Sequence, residues 1–242
     1  VPELSAQRKQ QLQAYAQVLK LPTRSKAEQE MRVRTWDELL WECAKDDPWF
    51  FCRTLLRSKN EHGGKDSPYE PFPDKEFLRQ TVRAWEDVAA RPTNRLLLIA
   101  KSRQMLQSWL VMAMALWTAM TKQAQLVIVQ SKKEMDAGNL LERAFGIWTR
   151  LPQTVRELVP CISGHVHLEF PTTDSRMIGI PEGPDQIRSN TASLLIGDES
   201  AFQPSFLEAY TAAQPSLNGG GMGVFVSSAA PGPFASLVLD EA

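Results

Sequence analysis

The chain has 242 residues, with 28 acidic against 27 basic side chains and a net charge of −1 when histidine is neutral. Hydrophobic residues make up 43% and charged residues 23%, a globular composition that excludes a disordered chain and a collagen or coiled-coil rod. The longest apolar stretch, Trp109 to Met120, is too short to span a bilayer, and three scattered cysteines (Cys43, Cys52, Cys161) exclude a disulfide framework or a four-cysteine zinc site.

Residues 5–19 read as an amphipathic helix through Leu12, Tyr15, Ala16 and Leu19, ended by Pro22. A polar stretch follows, then a short helix from Trp36 to Ala44. Asp47 before Pro48 is a helix start, because the carboxylate caps free N–H groups and proline suits the first helical position; this helix should run to about Arg57. Ser58 to Pro71, with Gly63-Gly64 and two prolines, reads as a loop. Asp74 is placed to cap a helix whose apolar face is Phe77, Thr81, Val82, Trp85, Val88 and Ala89. From there the pattern changes. Arg95–Ala100, Gln125–Gln130, Ser193–Gly197 and Met222–Ser227 are short apolar runs of the kind found in buried parallel strands. His165–Phe170 and Arg176–Ile180 read as further strands. Helices are expected at Ser108–Met120, Lys132–Arg150 and Pro204–Ala213. Alternating strands and helices after residue 95 predict an α/β domain with a mainly parallel central sheet flanked by helices, preceded by a helical N-terminal lead-in.

The charge is uneven. Residues 1–60 carry 11 basic and 8 acidic side chains, and residues 181–242 carry one basic residue, Arg188, against seven acidic. A whole-chain basic field that would hold nucleic acid is absent, so any contact with DNA must use a local patch.

Two segments carry chemistry. The first runs from the end of the first apolar strand into a helix: Lys101, Ser102, Arg103, Gln104, Met105, Leu106, Gln107, Ser108. This is where a phosphate-binding loop belongs, with backbone N–H groups and a helix N-terminus toward the phosphates and Ser108 toward Mg²⁺. The match to the usual pattern is poor, because Leu106 stands for its second glycine and Gln107 for its lysine. A plain strand-to-helix turn is the competing reading. The second segment is Leu194-Leu195-Ile196-Gly197-Asp198-Glu199, a strand ending in two carboxylates. Asp198 is placed to hold Mg²⁺ or its waters and Glu199 to polarise an attacking water. The segments lie 90 residues apart, with another strand between, and both sit at strand C-terminal ends, where open α/β sheets bind ligands. After the last strand, Ser227 and Ser228 are small hydroxyl residues placed to sense a γ-phosphate through that acidic pair.

These residues resemble the ATPase domain of the large terminase subunit, the DNA-packaging motor of tailed bacteriophages. The resemblance is carried by SRQ at Ser102–Gln104 ahead of Ser108, LLIGDESAF at Leu194–Phe202 and SSAAP at Ser227–Pro231. PFPDKEFL (Pro71–Leu78) and IGIPEGPDQIRSNTASLL (Ile178–Leu195) support it, and it covers roughly residues 65–235. It implies a P-loop NTPase of the additional-strand (ASCE) type, with residues 1–65 as lead-in and 66–242 as the ATPase domain; full-length members of the family carry a C-terminal nuclease domain, which is expected to be absent from this chain. Some terminases place the loop lysine at its first position, where Lys101 stands. The resemblance implies ATP and Mg²⁺ as cofactors, held by residues 101–108, Asp198, Ser227 and Ser228. Lys101 and Arg103 are then the catalytic cations, Glu199 orients water, and Arg143 is the candidate arginine finger for a neighbouring subunit. Double-stranded DNA, a portal protein and a small terminase subunit are the implied partners. The implied setting is a homo-oligomeric ring in the host cytoplasm, transiently docked on a procapsid, with the isolated domain monomeric and no membrane involved.

Two other readings stand beside it. A helicase-like ATPase would use the same core. A degenerate P-loop domain serving assembly or docking would account for Leu106 and Gln107, but needs no adjacent carboxylates at a strand end. His165 and His167 are read as alternating positions on a half-exposed strand, the tryptophans as packing, and Lys132-Lys133 as solvated.

Overall fold

The computed structural model describes residues 4–59 and 68–240. Gly63-Gly64 of the expected loop lies outside the described residues. The chain begins with two helices, α1 (Ala6–Val18) and α2 (Lys26–Asp46), whose first turns are capped by the hydroxyls of Ser5 and Ser25. The second helix is much longer than Trp36–Ala44. Its first half has no apolar periodicity and is held by Lys26–Glu30, Arg32–Glu28 and Arg34–Glu38 pairs at i,i+4 spacing. Tyr15 stacks on Trp36 to close the hairpin.

Asp47 accepts from the Phe50 N–H at 2.8 Å and starts α3 (Pro48–Thr54), which stops three residues short of Arg57. Arg57 begins β1 (Arg57–Lys59), which pairs antiparallel with β2 (Tyr69–Pro71). The ends of the expected loop are therefore a small ribbon. Helix α4 (Glu76–Ala89) follows, but Asp74 does not cap it; its carboxylate is taken by Arg79 and Arg53.

The remaining chain builds β3 (Leu96–Lys101), α5 (Gln107–Thr121), β4 (Leu126–Ser131), α6 (Glu134–Trp148) and α7 (Gln153–Leu158). Then come β5 (Ile162–Ser163), β6 (His167–Phe170), β7 (Ser175–Pro181), α8 (Asp185–Arg188) and β8 (Leu194–Asp198). A 3₁₀ turn (Ser200–Phe202) precedes α9 (Phe206–Asn218), β9 (Met222–Ser228) and α10 (Pro233–Asp240). Helices α7, α8 and α10, the 3₁₀ turn and strand β5 have no counterpart in the sequence expectations; each is short, and β5 is an edge strand of the sheet.

The sheet has seven strands in the order β3-β9-β8-β4-β7-β6-β5. The first five run parallel, and β6 and β5 extend the sheet antiparallel at one edge. Strand β9 is thus inserted between the strand leading into the Lys101 loop and the strand ending in Asp198, which is the additional-strand arrangement. The two faces separate cleanly along each strand by the period of two. Val127, Val129, Leu194, Ile196, Val224 and Val226 join a core with α2 to α6. Ile128, Leu195 and Phe225 join a second core with α8 and α9. Trp41, Trp85 and Trp117 are buried, and Trp36, Trp49, Trp109 and Trp148 pack against the first core. Leu40, Trp41, Phe51 and Cys52 lie in that same core, so the N-terminal helices pack directly on the α/β unit. No helix among the described residues is long and apolar enough to cross a membrane.

Candidate active site

The parallel strands β3, β9 and β8 end side by side, and register sets what meets there. Lys101 lies beside Ser228, and Asp198 beside Val226. Glu199 then turns with φ 48°, a left-handed conformation, which folds its carboxylate back over β9. Its Oε1 lies 2.6 Å from Lys101 Nζ, while Oε2 accepts from the Ser228 N–H at 3.1 Å and the Ser227 hydroxyl at 3.4 Å. The Lys101 side chain is only 9% exposed. Asp198 Oδ1 accepts from the Ser108 hydroxyl at 2.9 Å. Residues from 101 to 228 thus converge on one spot.

The two carboxylates differ electrostatically. Burial pushes the Asp198 carboxyl above its ordinary range, with the Ser108 hydrogen bond acting against that and the Glu199 charge adding to it. Burial also acts to raise Glu199, but the Lys101 ammonium and the Ser228 N–H outweigh it and hold that carboxyl below its ordinary value.

The loop itself is strained. Gln104 and Leu106 have φ of 61° and 56°, a conformation that costs a non-glycine residue about 1–2 kcal/mol. Leu106 stands at the cap position of α5 with no side-chain hydrogen bond to the helix. The first N–H groups of α5 are therefore left for another acceptor. Ser102 and Arg103 are exposed on the loop, and Met105 is half-buried beneath it. Gln107 departs from the expected placement: its side chain is buried and turned to α4, donating to Thr81 Oγ1 at 3.0 Å. What it offers the loop is its backbone N–H.

A cavity opens on each side of the loop. One of about 510 Å³ lies between the loop and the ribbon, lined by Ser58, Lys59, Glu70, Pro71 and Pro73. The other, of about 560 Å³, holds Lys101, Arg103, Arg143, Asp198 and Glu199, with Lys132 at its side. Arg143 therefore faces its own chain's acidic pair, with its guanidinium 5.1 Å above the Trp109 ring.

Two further residues serve the site: Gln203 Nε2 donates to the Asp198 carbonyl at 2.8 Å, and Ser200 Oγ donates to the Gly197 carbonyl at 3.1 Å. Ser227 Oγ in turn accepts from the Ala201 N–H at 3.0 Å. The polar residues following LLIGDE were the available signal for Ser200 and Gln203. His165 and His167 lie across the sheet, before and at the start of β6 respectively.

The donor set suits a magnesium–nucleotide. The loop presents helix N–H groups and cations, and Ser108 and Asp198 form a hydroxyl–carboxylate pair of the kind that could hold Mg²⁺, which takes one or two protein oxygens plus phosphates. Among the described residues no three His, Cys, Asp or Glu side chains form a protein-only metal cage.

No family model matches the sequence, and no curated protein matches it. Solved structures do. The chain is similar to the large terminase of bacteriophage HK97 at 17% identity and a TM-score of 0.61, covering 79% of this chain and 40% of that one. It is also similar to the ATPase domain of the Thermus phage P74-26 large terminase. An arginine mutant of that domain matches at 15% identity and a TM-score of 0.55, with 69% of this chain and 70% of the other covered. The P74-26 ATPase domain solved without that mutation gives 16% identity and 0.50, covering 69% and 74%. The chain spans less than half the length of the HK97 protein. At these identities the likeness is one of fold: the chain has the fold of phage large-terminase ATPase domains.

Proposed function

We propose that this chain is the ATPase domain of a phage large terminase, hydrolysing ATP to drive double-stranded DNA into a procapsid. The observation that supports this most is the convergence of Ser108 on Asp198 and of Lys101 on Glu199, at the C-terminal ends of strands separated by β9. Residues 66–242 form the ATPase domain. Residues 1–65 are a lead-in whose β1 adds Ser58 and Lys59 to the cavity beside the loop.

In this reading, residues 101–108 cradle the polyphosphate. The α5 N-terminus presents backbone N–H groups to it, and Lys101 and Arg103 supply positive charge. Ser108 and Asp198 hold Mg²⁺, which when bound neutralises charge on the phosphates. Glu199, kept ionised, orients and polarises the attacking water. Ser227 and Ser228 bind Glu199 and pass its movement to β9. Arg143 adds charge in the cavity of its own chain. The portal protein, the small terminase subunit and a homo-oligomeric ring are the partners this function requires, in the host cytoplasm at the procapsid.

The test is phosphate release from Mg²⁺–ATP by the parent chain and by Glu199→Gln. Turnover in the parent and its loss in the variant, with binding kept, supports the proposal. Binding without turnover at any protein concentration or with DNA present would favour a non-hydrolysing docking module.

A further inference from the structure

The proposed chemistry uses the backbone N–H of Gln107 but gives its buried side chain no task. Gln107 follows Leu106, whose left-handed backbone is unusual for a branched side chain. Strain of this kind persists only where the surroundings over-determine it. Two contacts do so here. The Leu106 side chain packs against the main core. On its other side, Gln107 is 6% exposed and its Nε2 donates to Thr81 Oγ1, which donates in turn to the Phe77 carbonyl at 3.0 Å. A buried amide is costly unless its hydrogen bonds are made, and Gln107 Oε1 has no partner. An apolar residue would fill this space at less cost, so packing alone does not account for the amide.

We infer that Gln107 is a positioning residue: through Thr81 it anchors the nucleotide loop to α4 and holds Leu106 left-handed, so that the α5 N-terminus is aimed before any phosphate arrives. This rests on the reading of residues 101–108 as the phosphate loop. The side chain that stands at the usual lysine position has become the tether of a loop that lacks the usual glycine.

The experiment uses the full 242-residue chain, with Thr81→Val, Gln107→Leu, and each combined with Leu106→Gly. Affinity for Mg²⁺–ATP-γ-S is measured by calorimetry, and amide hydrogen exchange is followed across residues 104–110, which include the Leu110 N–H bonded to the Leu106 carbonyl. Each single variant should bind nucleotide about tenfold more weakly, the scale of one net hydrogen bond, and exchange faster in that segment alone. Leu106→Gly should restore affinity, because glycine adopts the left-handed conformation without a tether. Unchanged exchange in Thr81→Val, or weakened binding that Leu106→Gly leaves uncorrected, would overturn the inference and leave only a packing contact. If the parent binds no nucleotide, the ATPase reading fails, and the exchange comparison still decides whether the tether exists.

Discussion

Lys101 Nζ and Glu199 Oε1 meet at 2.6 Å although their strands are not neighbours in the sheet. The lysine leaves the end of β3, the glutamate turns back from the end of β8, and the two close over β9. The ion pair places the cation proposed for phosphate and the carboxylate proposed for water within one hydrogen bond of each other.

Replacing Glu199 with Gln keeps the size and loses the charge. ATP turnover should fall by about 10²-fold or more, the usual contribution of a positioned base. Nucleotide affinity should hold or rise, since Lys101 is freed. Equal losses in turnover and binding would instead make Glu199 a structural residue.

Lys101→Ala should abolish nucleotide binding at micromolar concentrations while Arg103→Ala only weakens it. The Lys101 ammonium is buried beside the acidic pair, and Arg103 lies on the exposed surface of the loop. Calorimetric titration separates them, and the reverse ranking would move the key cation to Arg103.

Acid titration tests the pair from the stability side. The Glu199 carboxyl is held below its ordinary value of 4.5 by its partners. A depressed carboxylate contributes stability that is present above the unfolded value and lost as pH falls through the folded one. Lys101→Met should therefore lower the melting temperature at pH 7, and the gap to the parent should close as pH falls below 4.5. A gap that stays constant down to pH 3 would exclude an electrostatic contribution.

Gly197→Ala should be among the most destabilising small substitutions. A Cβ there would stand 2.5 Å from Phe225 Cδ1 and 2.7 Å from Ser200 Oγ. Overpacking of this kind costs about 1–3 kcal/mol, readable by urea denaturation. Because the next residue is Asp198, nucleotide affinity should drop with it.

Arg143→Ala should slow turnover in dilute protein, since the guanidinium lies in its own chain's cavity over Trp109. The stability loss should be about 1 kcal/mol, the worth of the cation–π contact. A defect that appears only at concentrations where the chain assembles would assign Arg143 to a neighbouring subunit instead.

The central sheet was legible because four of its parallel strands, β3, β4, β8 and β9, are apolar runs with charged or polar ends, and Asp198-Glu199 stands out after such a run. The first half of α2 was not, since ion pairs rather than an apolar face hold it. The ribbon β1–β2 was hidden by strands of three residues each. Within the site, residue types singled out Ser108, Asp198 and Glu199, which the fold brings together with Lys101. They did not give side-chain direction. Gln107 reads as a loop residue in one dimension, and only its position at the first turn of α5, opposite Thr81 on the inner face of α4, turns it away from the loop.

Strand β9 alternates its side chains, and this gives the site a parity. Ser227 is fully buried and receives the Ala201 N–H, while Ser228 lies beside Lys101 and Glu199. Insertion or deletion of one residue in β9 would exchange the two faces, putting Val226 or Ser228 in the buried place of Ser227 and Ser227 or Ala229 in the place of Ser228 beside Lys101. Length variation in the neighbouring turns leaves this phase untouched, whereas any change within the strand must come in steps of two.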